Sequence, residues 1–236
     1  PSIDTSMHGL VDFDHVDHLH PDSIIALATS KDGKKLTAEC FGEEILWVDW
    51  RRPGFQLGLD MAKIAKENPK AKGCVLGGHG LTTWGVTSKE CEERSIWAIT
   101  KAEEFIKAKG KADPFGKKES KFAPLDSAKR KERAASHAPY LRGIASKDVR
   151  MLGSFTDNDV VLDFLQGSKL MELAALGTSC PDHFLRTKIS PMVLDTKPDA
   201  PVDEVIKRAN ELHEAYRKNY AAYYDRNAKK DSPAMR

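Results

Sequence analysis

No stretch of this chain approaches the roughly 18 consecutive apolar residues that a membrane-spanning helix needs, and no signal peptide is visible. Cysteine is sparse. Cys40, Cys74, Cys91 and Cys180 are widely separated and form no CxxC pair, which argues against a zinc ribbon or a dense disulfide framework. Buried free thiols in a reducing compartment are expected instead, and with them a cytoplasmic location. Charge of one sign is lacking too: 37 Lys and Arg against 35 Asp and Glu leave +2. That is too little to argue for nucleic acid or an anionic membrane as a partner. There is no glycine-rich dinucleotide fingerprint, so no NAD site is expected. An initiating methionine is absent as well. The chain starts at Pro1, directly on residues able to carry chemistry, and is expected to be a fragment or a processed product. What is present is ordinary for a soluble protein: 40% apolar and 31% charged residues over 236 positions. That length suits one large domain or two small ones with a real core.

Hydrophobic patterning places the elements. "SIIALAT" (23–29) reads as a short buried strand rich in β-branched residues, and Asp32-Gly33 in "KDGKK" as a hairpin or turn signal. "EILWVDW" (44–50) reads as a strand closed by "RRPG". "QLGLDMAKIAKEN" (56–68) has helical periodicity and stops at Pro69. "GCVLGGHG" (73–80) is a buried strand running into a glycine-rich turn. Thr87 and Glu90 form a capping box for a helix over 88–109, with Ser95, Ala98, Ala102, Phe105 and Ile106 inward and Ile99 beside them. Alternating strands and helices make residues 1–110 an α/β domain. Residues 111–135 carry eight Lys or Arg against four Asp or Glu with few apolar positions. Residues 111–138 are therefore expected as a solvated basic linker, because no aromatic interleaving supports a stacking surface for nucleic acid. Residues 139–236 read as mainly helical: 157–166 and 168–176 are split by Gly167, and a long amphipathic helix over 202–226 starts after Pro201.

Three histidines crowd the stretch "DFDHVDHLHPDSIIALA" (12–28). In an extended strand, residues two apart point to one side, roughly 6.5–7 Å from each other. His18 and His20 can thus converge on one ion while Leu19 faces the core. His79 in "GGHGLTTWG" (77–85), flanked by glycine on both sides, is the third candidate ligand, since glycine permits a sharp turn or a close approach. Three imidazoles leave an open position, the catalytic arrangement for zinc. The plainer alternatives are paired surface histidines and a satisfied histidine at a strand end. His15 is expected to be exposed or to support the site indirectly. Asp14, Asp17 and Asp22 could orient the imidazoles through their second nitrogens, although each alone is more often a turn or surface residue, and Trp84 is expected to pack in the core.

Taken together, "PSID" at the start, HxH before a buried segment and "HGLTTWG" later resemble the class II aldolase/adducin family. "GTSCPDHFLRTKISP" (177–191) and "NYAAYYDRNAKKDSPAMR" (219–236) resemble the aldolase half of bifunctional rhamnulose-1-phosphate aldolase/short-chain dehydrogenases. The resemblance implies a three-layer αβα domain with a mainly helical C-terminal extension, and a divalent metal, expected to be zinc, on His18, His20 and His79. The family's catalytic glutamate falls at Asp4, one methylene shorter; His8 is an alternative for that role, with orienting a neighbour or packing as the plainer expectation for it. Ser2 falls where the family holds substrate phosphate, and the rest of that loop would lie upstream of Pro1. The dehydrogenase half would follow Arg236.

The implied reaction is retro-aldol cleavage of L-rhamnulose 1-phosphate to dihydroxyacetone phosphate and L-lactaldehyde, by a homo-oligomer whose sites lie between subunits. Without the upstream loop, weak or no activity is expected. His183, Arg186 and Lys188 are candidates for holding the phosphate, with a structural ion pair for Arg186 as the alternative. A Cys180/His183 nucleophilic pair lacks an orienting partner. The tyrosines of the last helix read as a packing stripe, although related aldolases use such a residue from a neighbouring subunit. Two other functions stay open: a sugar-phosphate 4-epimerase using the same bond cleavage, and an adducin-like interaction module without catalysis.

Overall fold

The computed structural model describes residues 2–147 and 149–235; Pro1, which begins the "PSID" stretch, lies outside them together with Asp148 and Arg236. The chain divides into two compact units, one of residues 2–112 and 178–188, the other of residues 113–177 and 189–235.

The first unit runs α1 (Thr5–Leu10), β1 (His15–Leu19), α2 (Asp22–Ala28), α3 (Gly33–Phe41), β2 (Ile45–Val48), α4 (Phe55–Glu67), β3 (Gly73–Leu76), β4 (Gly80–Gly85) and α5 (Ser88–Lys109). Its four strands form one sheet in the order β1-β4-β3-β2. Strand β4 is antiparallel to both neighbours, and β2 is parallel to β3. Side chains alternate across a strand, and the buried residues divide accordingly. Cys74, Leu76 and Trp84 join Met7, Leu57 and Met61 from α1 and α4 in one cluster. Val75 and Leu81 join Ile24, Leu27, Phe41, Ala98 and Ala102 from α2, α3 and α5 in the other. Trp84 is fully buried, and its indole donates to the Ala71 carbonyl at 2.9 Å.

Helix α5 has the expected bounds and cap. The Thr87 hydroxyl accepts from the Glu90 amide at 3.2 Å, and the Glu90 carboxylate accepts from the Val86 amide at 2.7 Å. One local expectation is corrected. Residues 23–29 do not form a strand: residues 23–28 lie in α2, which buries Ser23, Ile24, Ile25, Leu27 and Ala28, and Thr29 follows its last residue. Burial on nearly every side erases the periodicity that separates helix from strand, while Pro21 and Asp22 mark a helix start. Asp32-Gly33 marks a turn, as expected, in which the Gly33 amide donates to the Ser30 carbonyl at 2.9 Å, and it leads into α3 rather than into a hairpin.

In the second unit a short 3₁₀ turn (Ser120–Phe122) precedes α6 (Ser127–Ala145), α7 (Asp159–Gln166) and α8 (Leu170–Ala175). Residues 178–188 return to the first unit and contain α9 (Pro181–Arg186), and α10 (Val202–Asn227) completes the second. The expected linker is largely structured. Asp126 accepts from the Lys129 amide at 2.9 Å and starts α6, so helix begins before Pro139, which α6 includes. Helix α6 packs with α10, and His137, Leu141, Val205 and Ala209 line a cavity between them. Helices α7 and α8 flank Gly167 as the pattern predicts. All four cysteines are buried and free, and burial pushes the Cys74 thiol up to about 12 and raises those of Cys40 and Cys91. Among the described residues no helix is long and apolar enough to cross a membrane.

Candidate metal centre

Strand β1 ends at Leu19, and His18 and His20 project from that end. His79 sits in the turn between β3 and β4, where Gly78 adopts φ +66°. Pairing of β1 with β4 sets Leu19 opposite Leu81 and so carries the β1 end to this turn. Gly80 makes the approach possible: a Cβ there would lie 2.6 Å from the Leu19 carbonyl oxygen and 2.8 Å from Cδ2 of His20. The His18–His20, His18–His79 and His20–His79 ring centroids are 4.7, 4.8 and 5.2 Å apart.

Hydrogen bonding sets the direction of the lone pairs. His18 Nδ1 donates to the Leu81 carbonyl at 2.9 Å and lies 3.2 Å from Thr82 Oγ1. A carbonyl only accepts, so the proton is on Nδ1 and the Nε2 lone pair points at His79 Nε2, 3.2 Å away. The orienting partner is thus a backbone carbonyl rather than Asp14, Asp17 or Asp22. Asp14 and Asp22 are exposed, and Asp17 accepts from Ser95 Oγ at 3.3 Å. The fourth member is Asp182 of α9, whose Oδ2 lies 3.2 Å from Nε2 of both His20 and His79. Ligand atoms of His18, His20, His79 and Asp182 all lie within 4.8 Å of one another.

These donors fit a divalent cation. Lone pairs gathered so closely repel unless something positive stands among them, and a single proton on His79 Nε2 serves only one neighbour. His20 Nε2 and His79 Nδ1 are buried without a hydrogen-bond partner among the described residues. Three neutral imidazoles and a carboxylate suit zinc or a similar ion. Electrostatics keep the rings neutral. Burial, reinforced by His79 and His20, brings the His18 pKa down to about 4. Burial also lowers those of His20 and His79, against the opposing charge of Asp182. Neutral imidazole is the form that ligates metal.

Asp4 stands just before α1 and within electrostatic reach, since its charge favours protonation of all three imidazoles. Ser2 Oγ donates to Asp4 Oδ2 at 3.1 Å, and Asp4 Oδ1 is buried without a partner among the described residues. Ser2, Asp4 and His8 line one open cavity with Thr5 and Gly9. The His183 ring is 6.4 Å from that of His20, whereas Arg186 and Lys188 are exposed. His15 is exposed, and Cys180 is buried. The Tyr216 hydroxyl donates to the Ser190 carbonyl at 2.8 Å, and the Tyr220 and Tyr223 rings stack. Sequence reasoning missed Asp182. It lies 103 residues from His79, and its only signal is its place beside His183 in "CPDHF".

Comparison with known proteins gives the family. The chain is 36% identical over 231 residues to a protein of Bacillus subtilis (strain 168) named "Uncharacterized oxidoreductase YuxG". The match takes in 96% of this chain and 33% of that relative, so this chain spans about a third of the relative's length. It is also similar to the N-terminal class II aldolase domain of a conserved protein from Thermoplasma acidophilum, with 30% identity and a TM-score of 0.40 over 45% of this chain and 48% of that one. Residues 132–236 match the second domain of class II aldolases and residues 1–105 the class II aldolase and adducin N-terminal domain: the chain carries domains of the class II aldolase and adducin family.

Proposed function

We propose that this chain carries out a metal-dependent retro-aldol cleavage of a phosphorylated ketose, with L-rhamnulose 1-phosphate giving dihydroxyacetone phosphate and L-lactaldehyde. One observation carries the reading: imidazoles from two separate stretches, His18 and His20 on one and His79 on the other, meet with ligand atoms within 4.8 Å, inside a region matching the class II aldolase domain. A divalent ion held there, zinc in this reading, supplies electrophilic stabilisation for negative charge developing on the ketose carbonyl oxygen.

The side chains of the site do the rest. A base takes the C4 hydroxyl proton, the C3–C4 bond breaks, and the C3 carbon of the resulting enediolate is protonated. Asp4 is assigned the proton at C3. Ser2 fixes one of its oxygens while the other, buried and unpartnered among the described residues, is free to exchange a proton. Ser2, His183, Arg186 and Lys188 are assigned to the substrate phosphate, for which the guanidinium offers a paired donor fork. Choice of this sugar rests on the resemblance of 177–191 and 219–236. The Bacillus subtilis relative is named an oxidoreductase and the match takes in 33% of it, which supports reading this chain as the aldolase part of a bifunctional protein. A three-layer αβα first unit, supported by the two core clusters, a homo-oligomer and a cytoplasmic location belong to the same proposal.

Product analysis tests it. Zinc-loaded chain incubated with L-rhamnulose 1-phosphate is expected to release dihydroxyacetone phosphate slowly, and a chelator is expected to stop the release. A C4 epimer in its place would make the protein an epimerase. Release that continues undiminished after complete removal of the metal would overturn the metal-dependent reading.

A further inference from the structure

We propose that Asp182 is a fourth protein ligand of the centre, and that the ion it shares with the histidines clips residues 178–188 onto the first unit. This rests on His18, His20 and His79 being the metal ligands. The chain belongs to the second unit through Gly177 and again from Ile189, yet 178–188 is part of the first. Helix α9 has six residues, no side-chain N-cap hydrogen bond and no buried residue. Leu185, Arg186, Thr187 and Lys188 are exposed, and only Cys180 in the segment is buried.

The Asp182 carboxylate reaches inward, with Oδ2 3.2 Å from Nε2 of both His20 and His79. Without an ion, that oxygen accepts a hydrogen bond only from His79 Nε2, since His20 Nε2 makes none among the described residues. The same oxygen sharing a divalent cation with both rings holds the segment well, and the charge count is then +2 against −1. A net positive centre remains, still suited to stabilising an oxyanion. The segment that carries His183, Arg186 and Lys188 is therefore seated by the metal itself.

The test is limited trypsin digestion of the full 236-residue chain, with and without zinc, following cleavage after Arg186 and Lys188 by mass spectrometry, beside calorimetric zinc titration. In the wild type, zinc is expected to slow cleavage at both bonds by at least about 10-fold. Asp182→Asn, which keeps the shape and removes the charge, is expected to bind zinc at least about 10-fold more weakly and to gain no protection there. Asp182→Glu, retaining a carboxylate, is expected to regain it. If the wild type binds no zinc, the histidine reading and the clip fall together. If it binds zinc, but Asp182→Asn binds as tightly with the same protection, or the wild type gains no protection, the clip alone falls.

Discussion

His79 is 1% exposed, placed by a turn that two glycines make possible, and has no neighbour that satisfies its Nδ1 among the described residues. Replacing it with alanine removes a ligand without unmaking a packed cluster. His79→Ala is expected to bring bound zinc below about 0.1 equivalent by elemental analysis while circular dichroism stays near wild type; near-stoichiometric zinc would remove His79 from the centre. Asp4→Asn is expected to keep its zinc and lose about 10²–10⁴-fold in turnover, the range for losing a positioned acid or base. Wild-type turnover would move that role elsewhere, with His8 in the same cavity as the first candidate.

The imidazoles also set a pH dependence for the metal-free chain. Their folded pKa values lie below the ordinary 6.5, with His18 at about 4, so the unfolded chain binds more protons in between. Their contribution to stability is full above 6.5 and is lost as pH falls toward 4. The urea midpoint of the chelator-treated chain is expected to drop between neutral pH and about pH 5, and a flat midpoint would contradict this. At this scale the histidines were legible because strand periodicity and flanking glycines constrain where they point. Asp182 was not, because its position depends on how a segment distant in the chain folds back.

Among the elements, the β1 end and the β3–β4 turn meet because Gly80 has no side chain. Gly80→Ala would push a methyl group against the Leu19 carbonyl and the His20 ring, and is expected to cost about 1–3 kcal/mol, as overpacking does. Zinc affinity should weaken in the same variant, and a change in stability without one would separate the sheet edge from the site. Helix α5, which contributes Ser95, Ala98 and Ala102 to the interior, depends on its cap. Thr87→Ala is expected to lower unfolding free energy by about 1 kcal/mol in denaturant titration. Elements with marked ends or one-sided burial, such as α5 and α10, could be read from sequence. Helix α2 could not: with Ile24, Ile25, Leu27 and Ala28 all buried, a run of apolar residues looks alike in either conformation, and only the Pro21-Asp22 start distinguishes it.

Across the whole molecule, a divalent ion held by groups that come together only on folding is expected to stabilise the first unit by mass action. At a free concentration about 100 times the dissociation constant the gain is about 2.7 kcal/mol. The thermal midpoint should rise with added zinc and fall back with chelator, while His79→Ala stays unresponsive. Division into two units was only partly legible. A basic segment with few apolar residues suggests a linker, but α6 packs with α10. The return of 178–188 to the first unit leaves no trace in composition.

If His18, His20 and His79 share one divalent ion, anomalous diffraction at the zinc edge from crystals of this chain grown with zinc will show it. A single strong peak is expected about 2.0–2.1 Å from an imidazole nitrogen of each histidine. A structure with zinc bound elsewhere, or with the His79 ring turned away from the His18–His20 pair, would contradict it.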